Sequence, residues 1–182
     1  MIIGISGFAR SGKDTLCTLL KEHFNSDCRR VALADEIKKD LKFLLEKNFN
    51  IDPFNCSEYH KSVIRPLLVS YGTDVGRTLN KNHWINKIKK QLEENEGNNL
   101  ISVITDIRYE NEFHFLKENF NESLFVNVER EGFGPANEEE SKNTPILKNL
   151  SDHIINWPSF KIDISEGIPH VKNLYRKIKQ IR

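Results

Sequence analysis

A short strand, a glycine-rich turn and a helix follow one another within the first 24 residues, and that order constrains the fold more than any other feature. Ile2, Ile3 and Ile5 form a β-branched run, and Gly7-Phe8-Ala9-Arg10-Ser11-Gly12-Lys13-Asp14-Thr15 comes directly after Ser6. Leu16, Leu19, Leu20 and Phe24 then recur at helical spacing. This is the context that a phosphate-binding loop requires. Backbone N–H groups in such a loop converge on phosphate oxygens, and the helix N-terminus adds its partial positive charge. Gly7 and Gly12 suit the close approach and the backbone angles involved. Lys13 would reach the β- and γ-phosphates of a nucleoside triphosphate, with Arg10 and Ser11 inside the same loop. One position departs from the usual pattern: Asp14 stands where a hydroxyl residue normally coordinates Mg²⁺, and Thr15 follows it. Either Asp14 holds the metal, directly or through water, or Thr15 takes it in a shifted geometry.

A chain of 182 residues suits one domain with a substantial core. Lys and Arg total 27 against 26 Asp and Glu, so a net charge of +1 gives no electrostatic case for a nucleic-acid or membrane partner. Cys17, Cys28 and Cys56 lack metal-ligand spacing and fit the reduced thiols of a cytosolic protein. The first apolar run is shorter than a signal peptide needs, and none approaches the roughly 18 apolar residues of a membrane helix. The expected location is the cytoplasm, or a host cytoplasm if the chain is viral.

Strand and helix patterns alternate further along. Residues 30–34 read as a second strand, and a helix over about 35–47 carries Ile37, Leu41, Leu44 and Leu45. After a loop at 50–57, helical spacing resumes over about 58–70, where Pro66 should kink it and Tyr71-Gly72-Thr73-Asp74 interrupts it. A helix over about 82–94 precedes a turn at 96–99 and the apolar strand 100–104. A helix starting near Glu110 and a strand at 124–128 come next. Residues 131–150 read as polar and irregular, 153–156 and 161–164 as short strands, and about 168–181 as the final helix. Such alternation implies a mainly parallel central sheet with helices on both faces, a three-layer α/β sandwich. Ligands in that architecture sit at the carboxyl ends of the strands.

Asp106 follows the apolar strand and Thr105, where an acid would hold the Mg²⁺ shell; a helix cap is the plainer alternative. Arg10, Arg65, Arg77, Arg108 and Arg130 are candidates for phosphate, which guanidinium binds in bidentate fashion, although surface ion pairs would also explain them. The 131–150 segment suits a lid that excludes water during phosphoryl transfer, with a disordered insertion as the competitor. His60, His83, His114 and His153 share no ligand spacing. Trp84 and Trp157 read as partly buried, Trp157 with the alternative of flanking an adenine ring.

Four ordered motifs together resemble the phage-type deoxynucleoside monophosphate kinases. They are Arg10-Ser11-Gly12-Lys13-Asp14-Thr15, Ala34-Asp35-Glu36-Ile37-Lys38, Tyr71-Gly72-Thr73-Asp74-Val75-Gly76-Arg77 with Trp84, and Asp106-Ile107-Arg108-Tyr109-Glu110-Asn111-Glu112. Asp14 is itself typical of that group. Ile155-Asn156 and the C-terminal helix match more weakly. The resemblance implies a P-loop kinase fold and transfer of the γ-phosphoryl group of ATP, with Mg²⁺, to a deoxynucleoside 5′-monophosphate. It implies that Lys13 and the loop bind ATP with Asn156 nearby, and that Asp14, Thr15 or Asp106 surround the metal. Asp35, Lys38, Arg65, Arg77, Trp84, Asp106 and Arg108 would serve the acceptor, within a helical region of about residues 35–95. Lys13, Arg77, Arg108 and Arg130 would carry the catalytic charge, Arg130 from the base of the lid. A homodimer would fit the family. Where the family's lid has a His-x-Ser-Glu-like element, this chain has Asn137-Glu138-Glu139-Glu140-Ser141, without the histidine.

Two other readings stand beside it. One is a P-loop kinase for another small metabolite, of the dephospho-coenzyme A or phosphomevalonate type; the other is a nucleotide-dependent switch. Acceptor competition would separate the kinases, and phosphate transfer would separate enzyme from switch.

Overall fold

Five parallel strands form the sheet: β1 (Ile2–Ser6), β2 (Cys28–Val31), β3 (Ile101–Ile104), β4 (Ser123–Arg130) and β5 (His153–Trp157), in the order β2-β3-β1-β4-β5. The structure is a computed structural model and describes residues 1–24, 27–157 and 164–181. Among the described residues seven α-helices are interspersed: α1 (Lys13–Phe24), α2 (Leu33–Phe49), α3 (Glu58–Val69), α4 (His83–Gly97), α5 (Glu110–Asn119), α6 (Glu138–Leu150) and α7 (Ile164–Ile181). By contact the chain divides into two units, Met1–Val31 with Gln91–Arg182, and Ala32–Lys90.

In the larger unit, strand alternation assigns side chains to the two faces of the sheet. Ile3, Ile5, Val103, Leu124, Val126 and Val128 share a buried cluster with Leu16, Leu19 and Leu20 of α1 and Val171, Leu174 and Ile178 of α7. Phe125 alternates to the other side, where its ring lies 4.3 Å from that of Phe113 on α5. The central β1 strand is buried along its whole length, as a parallel strand covered on both faces should be. Its Cα register runs Ile2↔Ser102 against β3 and Ile2↔Ser123 against β4, so the three strands start side by side, and at the carboxyl edge β3 stops level with Gly4 while β4 runs on past Ser6 to Arg130.

The smaller unit is helical, with Leu41, Leu45, Ile51 and Ile64 at its centre and Ile37, Cys56, Leu68 and Tyr71 packed around them. Asn50 ends α2 in the left-handed region at φ 54°, and the Ser57 hydroxyl caps α3 by accepting from the His60 N–H.

Several sequence expectations need correction. The second strand is Cys28–Val31 rather than 30–34, because Ala32 is already the N-cap residue of α2. The glycine-containing stretch after α3 does not break the helix; Ser70–Arg77 continues it as a wider π-helical segment with Gly72 and Gly76 buried. A Cβ on Gly72 would lie 2.6 Å from Ile37 Cδ1, and one on Gly76 would lie 2.7 Å from Trp84 Cζ2, so both glycines serve close packing. Much of the segment read as irregular, 131–150, is α6, capped by the Asn137 side chain accepting from the Glu140 N–H at 2.9 Å. Three glutamates in its first turn, Glu138 to Glu140, complement the helix dipole. The short strand expected at 161–164 lies outside the described residues, apart from Ile164, which opens α7. Among the described residues no helix is long and apolar enough to cross a membrane.

Candidate phosphate-transfer site

The turn between β1 and α1 has the geometry of an anion cradle. Gly7 and Gly12 have φ of 137° and 96°, and Arg10 has φ 63°. A Cβ on Gly7 would lie 2.2 Å from the Val128 carbonyl oxygen of β4, and one on Gly12 would lie 2.7 Å from Trp157 Nε1. Both positions therefore need glycine on steric and conformational grounds. Ser11 is 1% exposed, and its hydroxyl has no hydrogen-bond partner. A buried, unsatisfied hydroxyl in a glycine-containing turn just before a helix N-terminus is suited to an anionic oxygen. Lys13 donates through Nζ to the carbonyls of Gly7 at 2.8 Å and Phe8 at 2.5 Å. Burial, followed by the nearby Arg108 charge, pushes its ammonium below the usual lysine value; Glu140, Asp14 and Asp106 act the other way.

β3 delivers the acid. Thr105 donates to the Val31 carbonyl at 3.2 Å and Ile107 to the Ile5 carbonyl at 3.1 Å, which holds the half-buried Asp106 between two anchored residues. Beyond it, Glu112 Oε2 accepts from the Arg108 N–H at 2.8 Å and the Tyr109 N–H at 3.1 Å. The Asp106–Arg108 turn is thus fixed by a carboxylate with no exposed surface. Gly7, Lys13, Asp106, Arg108, Glu140 and Thr144 line one cleft. Asp14 is exposed and Thr15 half-buried on the first turn of α1. These oxygen donors fit Mg²⁺, which takes one or two carboxylates together with phosphates and water. Among the described residues no group of three or more His, Cys, Asp or Glu side chains is placed to hold a metal ion.

Two site residues escaped assignment from sequence. Glu112 belongs to a quoted motif but has no chemistry that marks its role in advance. Glu140 reaches from α6 to the phosphate loop, where Oε2 accepts from the Ala9 N–H at 3.1 Å and also from the Ala136 N–H at 3.0 Å. Burial acts to raise its carboxyl, but these two N–H donors and the charges of Arg108 and Lys13 outweigh it, and the pKa falls below the usual glutamate value. Its neighbour Glu139 accepts from the Tyr109 hydroxyl. The signal for this helix start was present, since an Asn followed three residues later by Glu is an N-terminal pattern.

The remaining expected residues fall in two places. Arg130, half-buried at the end of β4, sets its guanidinium 4.6 Å from the Phe133 ring centroid. It shares an open groove with Phe8, Glu131, Phe133, Trp157 and the exposed Asn156. Trp157 is 2% exposed rather than partly buried. In the smaller unit, Asp35 is half-buried in the first turn of α2, and Lys38 lies 5.3 Å from the Phe54 ring. Arg65 is exposed on α3, and the half-buried Arg77 ends the π-helical segment. Trp84 corrects the expectation: it is 0% exposed, and its Nε1 donates to the Gly72 carbonyl at 2.7 Å. Its indole packs that segment.

Comparison with known folds agrees with the architecture. Dephospho-CoA kinase from Campylobacter jejuni superimposes with a TM-score of 0.53 at 12% identity, covering 97% of this chain and 96% of that one. Shikimate kinase from Aquifex aeolicus gives 0.51 at 15% identity, with 97% of each chain covered. At such identities the likeness concerns the fold, that of the P-loop kinases. No curated protein matches the chain by sequence. The family model described as phosphomevalonate kinase matches residues 5–122, from the middle of β1 to the threshold of β4, which takes in the phosphate loop and the Asp106–Glu112 turn. The chain belongs to the phosphomevalonate kinase family.

Proposed function

We propose that the protein transfers the γ-phosphoryl group of ATP to a small phosphomonoester, and that this acceptor is a deoxynucleoside 5′-monophosphate. The cleft in which Lys13, Asp106 and Arg108 meet beside the Gly7–Gly12 cradle carries the first half of this reading. The ordered set of motifs, including Asp35, Lys38 and the Tyr71–Arg77 segment, supports the second. The family match favours a different acceptor, phosphomevalonate, as the second reading. Both acceptors present a phosphate monoester, so the chemistry asked of the protein is the same.

Lys13 would leave the Gly7 and Phe8 carbonyls and donate to phosphate oxygens of the donor. Arg108, exposed at the mouth of the cleft, would neutralise charge on the transferring group, with Arg10 and Arg130 further along the same edge. Arg65 and Arg77 would hold the acceptor phosphate by bidentate bonds. Mg²⁺, held by Asp14, Thr15 or Asp106, would supply further charge neutralisation on the phosphates. An acceptor oxygen that is already anionic attacks the γ-phosphorus without a general base, so the chain's task is positioning and electrostatics.

The test is phosphorylation of a panel of deoxy- and ribonucleoside monophosphates and phosphomevalonate, with ATP and Mg²⁺. A diphosphate product from deoxynucleotides is expected, and Lys13→Ala should lower kcat/KM by roughly a hundred- to a thousandfold while the protein stays folded. Product from phosphomevalonate alone would select the second reading. No product from any acceptor would overturn both.

A further inference from the structure

The N–H of Ala9 belongs to the phosphate loop, between Gly7 and Gly12, yet it donates to a side chain 131 residues away in sequence, Glu140. The carboxylate oxygen that accepts it also accepts the Ala136 N–H. Glu140 is 8% exposed, and its own N–H is bound by the Asn137 side chain, which fixes the first turn of α6. Lys13 is similarly engaged within the chain, on the Gly7 and Phe8 carbonyls. Both the amide and the ammonium at this end of the loop therefore already have partners. One partner is an anion, sitting in the cleft that Lys13, Asp106 and Arg108 line. A carboxylate oxygen offers an amide the same negative charge and lone pairs that a phosphate oxygen does.

We infer that Glu140 is a built-in competitor for the donor's terminal phosphate. It occupies the Ala9 N–H when no nucleotide is bound, and ATP must displace it, moving the first turn of α6 away from the loop. The inference rests on the phosphate loop being the nucleotide site. Two anions cannot share one N–H donor at close range, so the population with Glu140 in place lowers the apparent affinity for ATP by the fraction it occupies. ADP lacks the terminal phosphate and competes less. Glu140 can therefore return as the reaction ends, favouring release of the spent donor. Tyr109, which donates to Glu139 on the same turn, adds a second latch.

The experiment measures Kd for ATP and for ADP by calorimetry, with the full chain, for wild type, Glu140→Gln and Glu140→Asp. Thermal unfolding is recorded without nucleotide. Glu140→Gln keeps the size and removes the charge; Glu140→Asp keeps the charge and withdraws it by one methylene. Both should bind ATP more tightly, Glu140→Gln by roughly three- to tenfold, the scale set by weakening one charge-assisted hydrogen bond to neutral strength. The gain for ADP should be markedly smaller. Unliganded Glu140→Gln should melt below wild type, so affinity and stability move in opposite directions, which a purely structural role would not produce. Wild type that binds ATP while both variants bind it equally or more weakly would overturn the competitor role. Equal gains for ATP and ADP would overturn its assignment to the terminal phosphate. Absence of ATP binding by all three proteins would instead overturn the nucleotide reading on which the inference stands.

Discussion

Replacing Glu112 should loosen the turn that presents Asp106 and Arg108, and the size of the effect follows from its hydrogen bonds. The side chain is 0% exposed, and one carboxylate oxygen accepts the N–H groups of Arg108 and Tyr109 at 2.8 and 3.1 Å. Glu112→Ala takes that acceptor from both donors. A hydrogen bond to a charged group contributes about 1.5–3 kcal/mol, so the loss is about 3–6 kcal/mol, a large share of the ~5–15 kcal/mol that keeps a domain folded. For a chain of this length that corresponds to a fall in Tm of roughly 6–24 °C. Glu112→Gln retains a carbonyl oxygen able to accept both N–H groups at neutral strength, so it should lose only about half as much. Thermal and urea unfolding followed by circular dichroism would read both variants, with Glu118→Ala on the exposed face of α5 as a control expected within about 0.5 kcal/mol of wild type. The reasoning is refuted if Glu112→Ala melts within about 2 °C of wild type, or if Glu112→Gln melts as low as the alanine variant.

Gly7→Ala and Gly12→Ala should each abolish ATP binding in calorimetry. Gly7→Ala should be the more destabilising, because its Cβ meets a strand carbonyl at 2.2 Å, whereas Gly97→Ala, with nothing within 4 Å, should leave the urea midpoint unchanged. Burial pushes the Cys28 thiol up to about 12 and raises Cys17 as well, so alkylation of the native protein near pH 8 should modify the half-buried Cys56 first. Cys28 labelled at the rate of Cys56 would contradict this. Because the Glu140 carboxyl lies below its usual value in the fold, facing Arg108 and Lys13, its contribution to stability is complete above the normal glutamate range. That contribution is lost as pH falls through the lowered value. The stability gap between wild type and Glu140→Gln should therefore stay level as urea unfolding is repeated from pH 7 down to the ordinary glutamate range and shrink below it, and a gap that widens there would contradict the sign.

The phosphate loop was legible because its signals are local: a β-branched run, two glycines at fixed spacing and a helical apolar stripe all lie within one short segment. The parallel sheet followed from alternation of strand and helix, and β1, β3 and β4 appeared within a residue or two of their expected bounds. Non-local contacts were harder. Nothing in the run Tyr71-Gly72-Thr73-Asp74 announces that Ile37 and Trp84 will press on two glycine backbones and keep the chain helical. The full burial of the Trp84 indole and its bond to the Gly72 carbonyl likewise depend on residues distant in sequence. Residues 138–150 read as irregular because polar residues and Pro145 weaken the apolar stripe, although the Asn137 cap and the acidic first turn pointed to a helix. Glu140 could not be found from sequence, since its partner Ala9 is marked by a backbone N–H rather than by a side chain.

In the proposed reaction an acceptor phosphate attacks the γ-phosphorus of ATP, and the bond formed in the product is its signature. Phosphorus NMR of the reaction of wild-type protein with ATP, Mg²⁺, deoxynucleoside 5′-monophosphates and phosphomevalonate would show that bond without prior choice of acceptor. ADP is expected together with a second product whose phosphorus resonances are mutually coupled, the mark of a new P–O–P linkage. An uncoupled phosphomonoester formed on a hydroxyl, or ADP with inorganic phosphate alone, would contradict it.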